Sequence, residues 1–261
     1  MSVPNVLPLW LVFLLVFGFI LLSAEAGFRL GLALRRRDLL AEKDSSIGAL
    51  VGALLGLLAF FLAFSIGFGL NNLFTRKELV VNEANAIGTA YLRAGFLDET
   101  SRNEAKELFR EYLDLRFAVV EEPELLEDAV RRGEEIHNRL WSLTEAYAVQ
   151  HPESEIVRLW IESLNEVIDI QTVRVVYNQA LRLPIVFWWM LFVVLGLAFL
   201  LVGIASSADG RRNYFSLAIF ALAFAAAVVL LVDLDNPHIG LLEVSQSAMI
   251  SLQQQIGTPM P

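Results

Sequence analysis

The sequence predicts an all-α membrane protein: four transmembrane helices, with a helical bundle inserted between the second and the third. Three observations predict it. The 261 residues are 56% hydrophobic, too apolar for a soluble domain of this size. No charge appears between Asp44 and Arg76, a run well beyond the ~20 apolar residues that cross a bilayer as a helix. Outside the apolar runs, hydrophobic residues recur at helical spacing, and no segment alternates with period two.

Residues 6–22 form the first apolar run, read as a helix over 6–28, with Trp10 as an interfacial anchor. No basic region precedes it and no small-residue cleavage pattern surrounds residues 23–26, so it reads as a retained span and not a signal peptide. Glu25 and Arg29, four apart, are placed to pair on one face. Arg35, Arg36 and Arg37 open a mixed-charge loop, and Ser45 is a candidate cap for the second helix. That span, 47–75, continues its helical pattern through Leu79, Val80, Ala84, Ile87 and Tyr91, so the helix is expected to leave the membrane and reach Arg93. Gly95 ends it.

The inserted bundle is read as residues 76–182. Thr100 or Ser101 would cap a helix over 102–120, Pro123 suits the first turn of one reaching 149, and His151-Pro152 breaks before a helix over 153–182. The third and fourth spans are 183–204 and 214–232, and 236–261 is a weakly amphipathic tail. The bundle holds 13 Lys or Arg against 21 Asp or Glu, most of the chain's net charge of −9. That acidity excludes nucleic acid as a partner, since phosphate binding needs a basic surface. With no cysteine, thiol catalysis and zinc–thiolate sites are excluded too.

The second span is patterned. At ~100° per residue, Phe60, Phe64 and Phe68 share one arc with Leu57, Asn71 and Thr75. Beside it runs a stripe of small residues, Gly52, Gly56, Ala59, Ala63 and Gly67, of the kind that lets membrane helices approach closely. This suits a ring of identical helices, the small stripe packing on a neighbour and the phenyl rings facing the centre. The plainer reading turns the rings toward lipid. Asn71 and Thr75 favour the ring, because polar groups are costly against lipid and not in a water-filled mouth. Arg76 would stand at that mouth or anchor at headgroups.

Phe68-Gly-Leu-Asn71-Asn-Leu-Phe74-Thr-Arg76 resembles the signature of bestrophins, whose pore helix carries a Phe, an Asn three on, an aromatic six on and an Arg eight on. Asn236-Pro237-His238-Ile239-Gly240 resembles that family's Asn-Pro-Phe-Gly element with one extra residue. The run from Asn82 to Arg93, NEANAIGTAYLR, is similar to bacterial bestrophin-like domain membrane proteins. Two departures stand out. Lys77-Glu78 replaces a Trp pair, and the acidic calcium-binding run of animal members is missing after Glu243. The resemblance implies a bestrophin-like homo-oligomer, a pentamer in a bacterial inner membrane that passes inorganic ions. It also implies a pore lined by the second span with Phe60, Phe64 and Phe68 as its neck.

The remaining candidates read as structural. His137, near Glu134, has no second histidine and reads as a surface residue; His151 and His238 are scattered. Asp233 and Asp235 read as solvated end-of-helix carboxylates, and Glu83 as a bundle salt bridge or, with Asn85, a vestibule lining. No catalytic set or phosphate loop appears, so no enzyme, cofactor or metal site is expected. Arg29, Arg35–Arg37, Lys43, Arg211 and Arg212 would place their loops in the cytoplasm and the bundle outside; the resemblance implies a cytoplasmic bundle. The functional alternative to a channel is a non-conducting sensor whose bundle binds a ligand or partner.

Overall fold

The computed structural model describes residues 7–39, 45–180, 183–209, 214–236, 242 and 244–257. All the regular structure among them is helical: α1 (Leu9–Arg36), α2 (Ser45–Arg93), α3 (Glu99–Glu121), α4 (Leu126–Gln150), α5 (Glu155–Ala180), α6 (Ile185–Ser206), α7 (Tyr214–Asp235) and α8 (Ser247–Gly257), with short 3₁₀ turns between some of them. Helices α1, α2, α6 and α7 are long and apolar enough to cross a membrane. The chain divides into two compact units, one of residues 5–72 and 182–242, the other of 73–181 and 243–261 with the first four residues.

In the first unit, apolar residues of α1, α6, α7 and the first part of α2 close one core, including Ile20, Leu58, Leu62, Leu195, Phe199, Ala225 and Val228. Phe61 of α2 stacks on Phe187 of α6 at 4.7 Å between ring centres. Glycine sets the approach of α1 to α6. A Cβ added at Gly203 would fall 2.7 Å from the Phe28 nitrogen, and one at Gly27 would fall 2.7 Å from the Leu200 carbonyl carbon. Backbone therefore lies against backbone, which only Gly allows. The same packing explains why α1 runs on to Arg36 and not to 28: Gly31 seats the Ser207 hydroxyl, and the Arg35 Nε donates to that oxygen at 3.1 Å. Glu25 and Arg29 pair at 2.8 Å as their spacing predicts.

Asp235 corrects the reading of the end of α7. Its carboxylate accepts the Leu183 backbone N–H at 2.8 Å, just before α6, and Asp233 is buried. Neither is a plain solvated carboxylate. The Pro237–Gly240 element and His238 lie outside the described residues.

In the second unit, α3, α4, α5, α8 and the later part of α2 enclose a core that includes Ile87, Phe109, Leu113, Ile136, Leu140, Trp160, Leu164 and Val167. Trp160 donates to the Thr144 hydroxyl at 2.8 Å, so its indole N–H is satisfied inside. The cap of α3 is Asp98, whose side chain accepts from the Thr100 and Ser101 backbone N–H groups, both at 3.1 Å. The two residues expected as caps supply the donors instead, and a hydrogen bond from the Ser101 side chain, then these backbone bonds, hold the Asp98 carboxyl below its usual range. Helix α8 of the tail is integral to this unit. Met249, Leu252 and Ile256 of α8 are buried in its core.

Candidate functional site

Within the first unit, the side chains of α2 divide by face. Leu58, Leu62, Ser65 and Gly69 are buried, whereas Gly52, Gly56, Leu57, Ala59, Phe60, Ala63, Phe64, Gly67, Phe68 and Asn71 are exposed. Phe60 and Phe64 are 69% and 68% exposed, more than any other large hydrophobic residue of α2. A Cβ at Gly52, Gly56 or Gly67 would meet nothing within 4 Å. The small stripe and the phenyl ladder thus share one face that is exposed among the described residues. By contrast, Gly69 of the buried face lies against Leu234, where a Cβ would fall 2.9 Å from its Cβ.

Two expected mouth residues, Thr75 and Arg76, lie in the second unit. Thr75 is half-buried, and Arg76 is buried at 5% exposure. Eight residues carry a helix about 80° past Phe68, in phase with buried Ser65 and Gly69 and away from the phenyl arc. The helical angle alone was enough to find this.

The second unit holds two polar features. An open groove of about 670 Å³ runs between α2 and α5, lined by Asn82, Asn85, Glu162, Asn165, Glu166, Asp169 and Ile170. Its carboxylates are exposed, and no cluster fit to hold a metal ion occurs among the described residues. The other feature is a polar layer through the core, to which four helices contribute. Glu83 of α2 is fully buried. The Tyr112 hydroxyl of α3 donates to its Oε1 at 2.7 Å, the Arg116 Nε lies 3.5 Å from the same oxygen, and Arg174 of α5 pairs with Oε2.

His137 of α4 stands beside this layer, its ring 5.0 Å from that of Tyr112. It is 6% exposed, so the surface reading is corrected. Burial, then the charge of Arg116, push its pKa down to about 4, so it is neutral at pH 7. Burial also pushes Tyr112 up to about 12, against a smaller opposing effect of Arg116, and lowers Arg174 to about 10, where it still carries its proton at neutral pH. Gln171 of α5 is buried against Gly133, where a Cβ would fall 3.1 Å from its Nε2. The sequence offers Glu83 as a bundle salt bridge or vestibule lining; its partners, 29 to 91 residues away, are visible only in the fold.

The family model described as Bestrophin-like domain matches residues 13–249. No curated protein and no solved structure matches the chain. That match spans all four apolar helices and the bundle between them. The chain is therefore a membrane protein that belongs to the bestrophin-like family.

Proposed function

We propose that the protein is an ion channel: a cyclic homo-oligomer, a pentamer, whose pore is lined by α2 and narrowed by rings of Phe60, Phe64 and Phe68. One observation carries the reading. Among the described residues, the face of α2 that holds the phenyl ladder and the glycines is left exposed, and the opposite face is buried in the core of its own unit. Small residues at Gly52, Gly56, Ala59, Ala63 and Gly67 would admit a neighbouring helix closely, which turns the adjacent phenyl arc toward the axis. Leu57 would stand beyond the rings on one side and Asn71 on the other.

Membership of the bestrophin-like family supports the same reading. A ring of phenyl groups is dry, so it gates by dewetting: an ion must shed water or carry it through. Truncating the middle ring would widen and wet it.

Planar-bilayer recording of the purified protein tests this. Phe64→Ala should raise the basal conductance, and cross-linking should count five subunits. A non-conducting sensor predicts a dimer with no ion flux, and an unchanged conductance in Phe64→Ala would reduce the stripe to packing.

A further inference from the structure

We propose that the polar layer inside the bundle is a binding site for a small monovalent anion, of the size of chloride or bromide, held by Arg116, Arg174 and His137. The charge of the layer points to it. Two guanidinium groups, 13% and 15% exposed, share one fully buried carboxylate, and among the described residues neither has another acidic partner. His137, neutral, neither adds to nor cancels that excess. One positive charge is therefore left over in an interior where an unpaired charge is expensive.

The donors point the same way. The Arg116 Nε and the His137 Nε2 are buried with no hydrogen-bond partner, as is the Gln171 Oε1 acceptor of the same layer, although buried polar groups are nearly always satisfied. At 3.5 Å, the approach of the Arg116 Nε to Glu83 is an ion pair and not a hydrogen bond. With its proton on Nε2, His137 offers a further donor without adding charge. Gly133, one turn before His137 on α4, keeps the wall thin: a side chain there would press on Gln171 and on the Tyr112 ring 3.3 Å away. Two buried N–H donors in a layer with an excess of positive charge suit an anion better than a cation. The site lies wholly within the second unit and does not rest on conduction.

The test uses the full chain in detergent, unfolded thermally while sodium gluconate is replaced by sodium chloride at constant ionic strength. Chloride should raise the midpoint, and above the dissociation constant the rise should be linear in the logarithm of chloride concentration. Glu83→Gln removes the competing negative charge, so the rise should begin at a chloride concentration at least about tenfold lower. Arg174→Gln should abolish the rise. No rise in the parent, or a chloride response equal in all three proteins, overturns the site. Should either variant fail to fold, anomalous scattering from crystals of the unmodified protein grown in sodium bromide decides. A bromide peak between Arg116 and His137 supports the site, and water alone in the layer overturns it.

Discussion

Replacing Gly203 by Ala tests how the membrane helices are held. A methyl group there would sit 2.7 Å from the Phe28 nitrogen and closer still to the Ala24 carbonyl oxygen, where ordinary contact begins at 3.4 Å. Both obstructions are backbone, so no rotamer change relieves them. Relieving the nearer, Ala24 contact would part helices α1 and α6 by more than about 1 Å, which forfeits half or more of each dispersion contact along the seam. The cost is about 3 kcal/mol, toward the upper end for overpacking. Helix propensity acts in the opposite direction, favouring Ala over Gly by about 1 kcal/mol, so the sign is diagnostic. Thermal unfolding in detergent should show a midpoint lower by roughly 5–10 °C. Gly56→Ala is the control: a Cβ there meets nothing within 4 Å, so the protomer should hold its midpoint. An unchanged or raised midpoint in Gly203→Ala would refute the account of the α1–α6 seam.

Other changes probe the bundle. Glu83→Ala leaves Arg116 and Arg174 buried without a counter-charge and should cost about 3–5 kcal/mol in denaturant unfolding; a loss below 1 kcal/mol would show the pair to be hydrated. Tyr112→Phe removes the donor to Glu83 and should cost about 1–3 kcal/mol by the same measurement. His137 has a folded pKa of about 4 against an ordinary 6.5. Between those values the unfolded chain binds more protons, so its contribution is complete above about pH 6.5 and is lost as pH falls toward 4. The loss amounts to about 3 kcal/mol, and His137→Asn should flatten stability over that window; equal slopes for variant and parent would remove His137 from the acid response.

Much of the fold was legible because membrane helices and long amphipathic helices announce themselves by length and period. The uncharged run before Arg76 and the spacing from Leu79 to Tyr91 predicted the unbroken helix α2, Ser45–Arg93. Contacts between helices distant in sequence were not legible. Nothing around Glu83 names Tyr112, Arg116 and Arg174 as its neighbours, and a lone His137 looked solvated until the fold placed it against Tyr112. The α1–α6 seam left a signal that was passed over: Gly27 and Gly31 are four apart, the spacing of close helix pairs. The glycine stripe of α2 was the more conspicuous, yet among the described residues a Cβ at Gly52, Gly56 or Gly67 would meet nothing within 4 Å. Arg76, expected at the mouth or at headgroups, is buried in the second unit, since eight residues past Phe68 turn a helix ~80° from the phenyl arc.

The central claim is that the phenyl face of α2 surrounds a water-accessible path. The chain has no cysteine, so single cysteines report without background. Leu57→Cys, Phe64→Cys and Asn71→Cys should react with a charged, membrane-impermeant thiol reagent and change the recorded current, while Leu58→Cys and Leu62→Cys, on the buried face, stay silent. Reaction of the first three only with a lipid-soluble reagent, with no effect on current, would place the phenyl ladder against lipid and contradict the pore.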